Sequence, residues 1–301
     1  MSANALTVRG QELGEQLRVL RAESGFNLQS AARRIDMSPS QLSRLENGQR
    51  RAPAEVVTAL LATYGVTGQR RRTALALARE SDEHGWWQRD RPDFPERQRT
   101  LMSLESKAER IINYAGLLVP GLLQTSEYMR ATLEETSMFS ADAVEQRMAT
   151  RMRRHAAVFG SRDCSLIALI DELVLHRRVA TPGVLVRQLE QLVYWSTRDH
   201  ISIRVLRNDR LHSGTTGPFQ LIRQRCGHTV VFLEHLGSSL FVEDKQDVAT
   251  YGEAVRKMLD LALPQQDSVH LIEDIARNIH SEAGNDDSRR SRTAHLAQEP
   301  S

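Results

Sequence analysis

Residues 38–51 read SPSQLSRLENGQRR, and their side chains are of the short polar and cationic kinds that bond to base-pair edges and phosphates. Gln41 carries an acceptor and a donor side by side, which matches adenine. Arg44 carries the fork that meets O6 and N7 of guanine, worth about 1–3 kcal/mol of discrimination. Ser38 and Ser40 bond a phosphate or a base while letting the backbone approach closely. Ser43 shares their outward face. Asn47, Arg50 and Arg51 suit the sugar-phosphate backbone, which gives affinity and salt dependence but reads no sequence. Leu42 and Leu45, three apart, mark the inward side.

Such groups read DNA only from a helix held at a fixed angle. Ser38 is an N-cap and Pro39 takes the first helical position, where its missing N–H costs nothing. The helix runs to about Asn47 and stops at Gly48. Before it, Asn27 caps LQSAARRI, with Ala31, Ala32 and Ile35 inward, and Asp36-Met37 is a tight connection. Leu13, Leu17 and Leu20 line an earlier helix that ends near Gly25. Pro53 opens a fourth helix (Val56, Val57, Leu60, Leu61), and a fifth after Gly68 carries Leu75 and Leu77. Two short helices joined by a three- or four-residue turn, the second polar outside, have helix-turn-helix geometry. The alternative, a helical hairpin for packing or dimerisation, does not need that outer face or a basic flank.

The charge balance points the same way. Residues 1–80 hold twelve arginines, no lysine and seven acidic residues, a balance of +5 within a chain of net +2; the remaining residues carry −3. A basic first segment suits an anionic partner. Only three of the chain's basic residues are lysines (Lys107, Lys245, Lys257), a skew expected from coding bias rather than from phosphate chemistry.

Residues 9–80 resemble the repressor-type helix-turn-helix family called XRE or lambda-repressor-like, through NLQSAARRIDMSPSQLSRLENGQRRAP and above all its Ser-x-Ser-x-Leu-Ser-Arg-Leu-Glu-Asn-Gly core. The resemblance implies five helices, the second and third being the DNA-binding pair. It also implies that Glu46 receives an arginine from the first helix, by position Arg21, as a structural salt bridge. The family often has a polar, phosphate-touching residue where Leu28 stands; Gln29 is the neighbour that would take over that contact.

Beyond residue 80 the pattern breaks. SDEHGWWQRDRPDFPERQRT (81–100) is polar with two prolines and reads as a linker. Its Trp86-Trp87 pair is expected to dock on the second domain, the alternative being a partner surface. Residues 101–280 mix helices with β-rich runs at 164–170, 201–206, 218–224, 229–236 and 239–244. The helix between the first two starts at Thr181-Pro182 and is lined by Leu185, Leu189 and Leu192. One long helix follows Asp244, and another runs from about Gln266 to His280. The expected architecture is α+β: an N-terminal five-helix domain over 9–80, then a mixed α+β domain with a small sheet over 101–280. The tail, 281–301, has almost no apolar content and reads as disordered.

The segment order YAGLLVPGLLQTSEYMRATL, RMATRMRR, LIDELVLHRRV, ISIRVL and GPFQLI...VVFLE resembles the C-terminal, antitoxin-like domain of actinobacterial transcription regulators. That resemblance implies a regulator whose larger domain binds a small partner protein encoded nearby, and it carries over no catalytic residue. The dense apolar run Leu117, Leu118, Pro120, Leu122 and Leu123 is a candidate partner surface, against the plainer reading that it is core.

Candidates for catalysis are thin. Glu172 and His176 are four apart on a helix, but the HExxH pattern is absent. Cys164 and Ser165 lack nucleophile-elbow glycines. The loop His212–Gly217 is followed by a strand, whereas a phosphate cradle needs a helix N-terminus. Cys226 has no resolving thiol nearby. No enzymatic activity, metal or cofactor is expected. Two distant cysteines, no apolar run of membrane length and no secretory leader place the chain in the cytoplasm. The expected protein is a sequence-specific regulator that binds double-stranded DNA. It is expected to be a homodimer, because one short helix reads few base pairs. The alternative is an antitoxin-like protein that sequesters a partner and binds DNA only for autoregulation.

Overall fold

The computed structural model describes residues 7–80, 86–89, 95–136, 140–160, 163–235 and 238–296, and only the backbone at 80, 86–89, 95–99, 136 and 283–296. The chain forms two compact units. One comprises residues 1–104, 228–231 and 235–248; the other comprises 105–227, 232–234 and 249–301.

The first unit begins with α1 (Val8–Glu23), α2 (Leu28–Arg34), α3 (Pro39–Glu46), α4 (Ala54–Thr63) and α5 (Gly68–Glu80). Leu13, Leu17 and Leu20 of α1 meet Ala31, Ala32, Leu42, Leu45, Val57, Leu60, Leu61, Tyr64 and Leu77 in one buried core. Three of these helices stop alike. Gly25, Gly48 and Gly65 take positive φ (74°, 67° and 67°). The residue after each donates its N–H back to the carbonyl of Arg21, Arg44 or Leu61, the Schellman arrangement that only a residue free of Cβ strain closes cheaply. β1 (Trp86–Arg89) and α6 (Pro95–Ser106) follow.

The second unit is built on β2 (Ala108–Ala115), α7 (Ser126–Thr136), α8 (Ala141–Phe159), β3 (Ser165–Asp171), α9 (Glu172–His176), α10 (Pro182–Ser196), β4 (Ile201–Leu206) and β5 (Phe219–Gln224). Its strands run β5-β2-β3-β4, with β2, β3 and β4 parallel and β5 antiparallel to β2. Helical crossovers link the parallel strands, as parallel pairing requires. β6 (Thr229–Glu234) is divided between the units. β7 (Ser238–Val242) lies in the first and pairs antiparallel with β1, Trp86 opposite Phe241. α11 (Lys245–Leu261) and α12 (Gln265–Leu296) complete the chain. Ile272, Ile275 and Ala276 of α12 are buried, as are Leu185, Leu189 and Leu192 of α10, the helix it packs on. At the start of α12, the Ser268 hydroxyl accepts the Val205 N–H at 3.0 Å. Inside this unit Arg154 forks onto Glu105 (2.8 and 2.7 Å), and Gln220 donates to the same carboxylate at 3.0 Å. The third bond supports this buried ion pair, and such added hydrogen bonds are what make a buried pair tolerable.

The fold is the mixed α+β arrangement expected, with differences in detail. The sequence reading has no counterpart to β2, which is central: Glu109, Arg110 and Asn113 interrupt its apolar pattern. Within the stretch expected as a linker stand β1 and the first residues of α6. Trp-Trp-Gln has strand propensity and Pro95 suits a helix start. The rest of that stretch, 81–85 and 90–94, lies outside the described residues, as do the two indoles. The backbone of α12 continues to Leu296 where a disordered tail is expected; 281–296 contains no proline and one glycine, and helix is open to it. Residues 297–301 lie outside the described residues. Residues 228–231 and 235–248, expected in the larger domain, belong to the first unit.

Candidate nucleic-acid interface

α3 is closed at both ends by its own side chains and turns. Ile35 ends α2, and Asp36 takes a left-handed φ of 52° in the connecting turn, which a short Asp side chain tolerates. The Ser38 hydroxyl accepts the Gln41 N–H at 3.2 Å, and the Gln41 side-chain oxygen accepts the Ser38 N–H at 3.1 Å. This is a complete capping box with Pro39 at the first position. The inner face is Leu42 and Leu45, both buried.

α3 is also seated on α1 at close range. A Cβ at Gly14 would lie 2.6 Å from the Leu45 carbonyl oxygen and 2.7 Å from that of Glu46. A Cβ at Gly48 would lie 2.7 Å from Gln11 Cα. Arg21 grips Glu46 with Nε to Oε1 at 2.7 Å and Nη2 to Oε2 at 2.9 Å, and its Nη1 donates to the Phe26 carbonyl at 3.0 Å. Glu46 is almost fully buried, its side chain 3% exposed against 15% for Arg21. The bond to Glu46 holds the Arg21 guanidinium charged against the opposing cost of burial. Burial and the nearby Glu46 charge push the Tyr64 phenol up, so it stays neutral.

Of the residues proposed to touch DNA, Gln29, Ser38, Pro39, Ser40, Arg44, Asn47, Arg50 and Arg51 are exposed, while Gln41 and Ser43 are half-buried. Two roles change. Gln41 and Ser38 are committed to capping α3, so Gln41 does not present its oxygen freely to adenine. Asn47 folds back and donates to the Ser43 carbonyl at 2.9 Å. Arg44 keeps its fork: Nε makes a long contact to the Ser40 carbonyl at 3.4 Å, and the terminal nitrogens have no protein partner among the described residues. Leu28 packs against the core, leaving Gln29 as the outward group at that end of α2. Arg33 and Arg34, exposed in the last turn of α2, are cations that the sequence reading left without a role. Their position immediately before the turn is the signal that marks them.

The apolar run in the second unit is corrected by burial. Pro120, Leu122 and Leu123 are inside the core, Leu118 is half-buried, and Leu117 alone of the five is well exposed, at 57%. A single turn around Leu122 and Leu123 packs against α8 and α10, which hides them from a partner. Several of the groups weighed for catalysis have partners within the fold. Glu172 accepts from the Asn208 N–H at 3.1 Å and pairs with Arg207 at 3.1 Å. The His212 Nδ1 accepts the Gly214 N–H at 3.2 Å while Nε2 faces Asp171 at 3.4 Å. Burial pushes the Cys164 thiol up to about 11. Among the described residues no helix is long and apolar enough to cross a membrane.

Residues 12–74 match the family described as a helix-turn-helix domain, and residues 98–274 match the family described as a domain of unknown function (DUF5753). The crystal structure of the clp gene regulator ClgR from C. glutamicum is similar at 26% identity, over 28% of this chain and 100% of that one, with a TM-score of 0.21. An overlap that low carries no argument. No curated protein matches.

Proposed function

This chain belongs to the DUF5753 family, and from that premise, with a helix-turn-helix domain at its N-terminal end, we propose that it is a sequence-specific, DNA-binding transcription regulator. α3 enters the major groove. Arg44 and Ser40 meet base edges, and Arg33, Arg34, Arg50 and Arg51 lie along phosphates. The observation that supports this best is the asymmetry of α3. Both its ends are capped internally and its inner face is buried, yet Ser40 and Arg44 stand exposed with the guanidinium fork open. A helix that only packs gains nothing from that face.

The working form in this reading is a homodimer on two half-sites about 34 Å apart. The second unit performs no catalysis and binds a small partner protein. Fluorescence anisotropy of the full chain on its own upstream DNA and on scrambled DNA, across a salt series, tests the reading. A preference of about ten-fold or more, with affinity falling steeply as salt rises, is expected. Equal weak binding to both DNAs would overturn sequence-specific reading and favour the antitoxin-like alternative.

A further inference from the structure

The first helix of the DNA-binding unit is held at its start by residues from far along the chain. Glu243 Oε2 accepts the N–H of Val8, the first residue of α1, at 2.7 Å. His228 Nε2 stands 3.2 Å from the same oxygen, and Gln11 Nε2 lies 3.3 Å from His228 Nδ1. Glu243 is 1% exposed and His228 12% by side chain, and Gln11 is buried. A carboxylate at a helix N-terminus is favoured by the exposed N–H groups there. What is unusual is its origin: 228 and 243 both fall inside the DUF5753 match, outside the helix-turn-helix match.

α1 passes that constraint on. Gln11, which touches His228, is the residue whose backbone closes on Gly48 at the end of α3. One turn later Gly14 presses on the carbonyls of Leu45 and Glu46, and Arg21 holds the Glu46 carboxylate. These are close backbone and buried contacts, the kind of packed path along which a shift of α1 would reach α3.

We propose that Glu243 and His228 are positioning residues for the recognition helix: through Val8, Gln11 and Gly48 they set the pose of α3, and displacing them from α1 weakens specific DNA reading. The inference rests on the proposed DNA-binding function, but its structural half is testable without DNA.

Hydrogen exchange of the free full-length protein comes first, comparing wild type with Glu243→Ala, Glu243→Gln and His228→Ala. Glu243→Ala is expected to speed exchange both at Val8–Gln11 and at Asn47–Gln49 while leaving Val57–Thr63 of α4 unchanged. Glu243→Gln keeps an acceptor for the Val8 N–H and should restore most of the protection. Faster exchange confined to the start of α1 would overturn the proposal, because the link to α3 would then be absent. A uniform rise across the unit would also overturn it, reducing the contact to plain stability. The ratio of affinities for upstream and scrambled DNA is then expected to fall about five-fold or more in Glu243→Ala. An unchanged ratio, where wild type shows a preference, would overturn it too. If wild type shows no preference at all, the DNA-reading function fails and the exchange pattern still decides the link.

Discussion

Arg44 is the side chain on which base reading depends in the proposed function, because its neighbours are spoken for. Ser38 and Gln41 cap the helix, and Asn47 returns to Ser43. Arg44→Ala is therefore expected to cost about 1–3 kcal/mol on specific DNA while changing affinity for scrambled DNA much less; an anisotropy pair measures both, and equal loss on the two DNAs would contradict the assignment. The capping role was itself legible, since Ser-x-x-Gln is the capping-box pattern. The same residue types suit both jobs, and only the distances choose between them. In the second unit, burial lowers the pKa of His155, which lies against Phe159 and Trp195, from its ordinary 6.5. A histidine with a depressed folded pKa contributes stability that is whole above pH 6.5 and is lost as pH falls through the lowered value. His155→Phe should flatten the acid limb, so that urea melts at about pH 5 and about pH 7.5 differ less than in wild type.

At the scale of elements, the seat of α3 on α1 combines side-chain packing with close backbone contact. Gly25 and Gly48 offer a controlled comparison. Both have left-handed φ, but a Cβ at Gly25 meets nothing within 4 Å, whereas one at Gly48 meets Gln11 Cα and N. Gly25→Ala should cost about 1 kcal/mol for the conformation alone. Gly48→Ala should cost about 1–3 kcal/mol more, as overpacking against backbone does. Chemical denaturation of the two variants decides this; equal losses would mean α1 and α3 adjust freely. Helices α1 to α5 were readable because caps, proline starts and glycine stops are local signals. β2 was not, because a strand bonded on both sides is recognised by its neighbours β3 and β5, not by alternation of its own.

At the scale of the whole chain, α12 does its packing early: Ser268, Ile272, Ile275 and Ala276 are buried within the second unit. Truncation after Glu282 keeps all four and is expected to leave the melting temperature within about 1 °C of wild type; a fall of several degrees would show that the later turns of α12 also bear load. What residue order alone determined here is what short-range physics dictates: the five capped helices, the inner leucines of α3, its polar outer face and the basic bias of the first eighty residues. Tertiary structure decided the rest. It put Pro120, Leu122 and Leu123 in the core. It also brought His228 and Glu243 to the start of α1, more than two hundred residues away in sequence. Caps and periodicity act over one or two turns, where identity and spacing suffice. Burial and long-range bonds depend on which surfaces the completed fold closes against one another, and no local pattern encodes that.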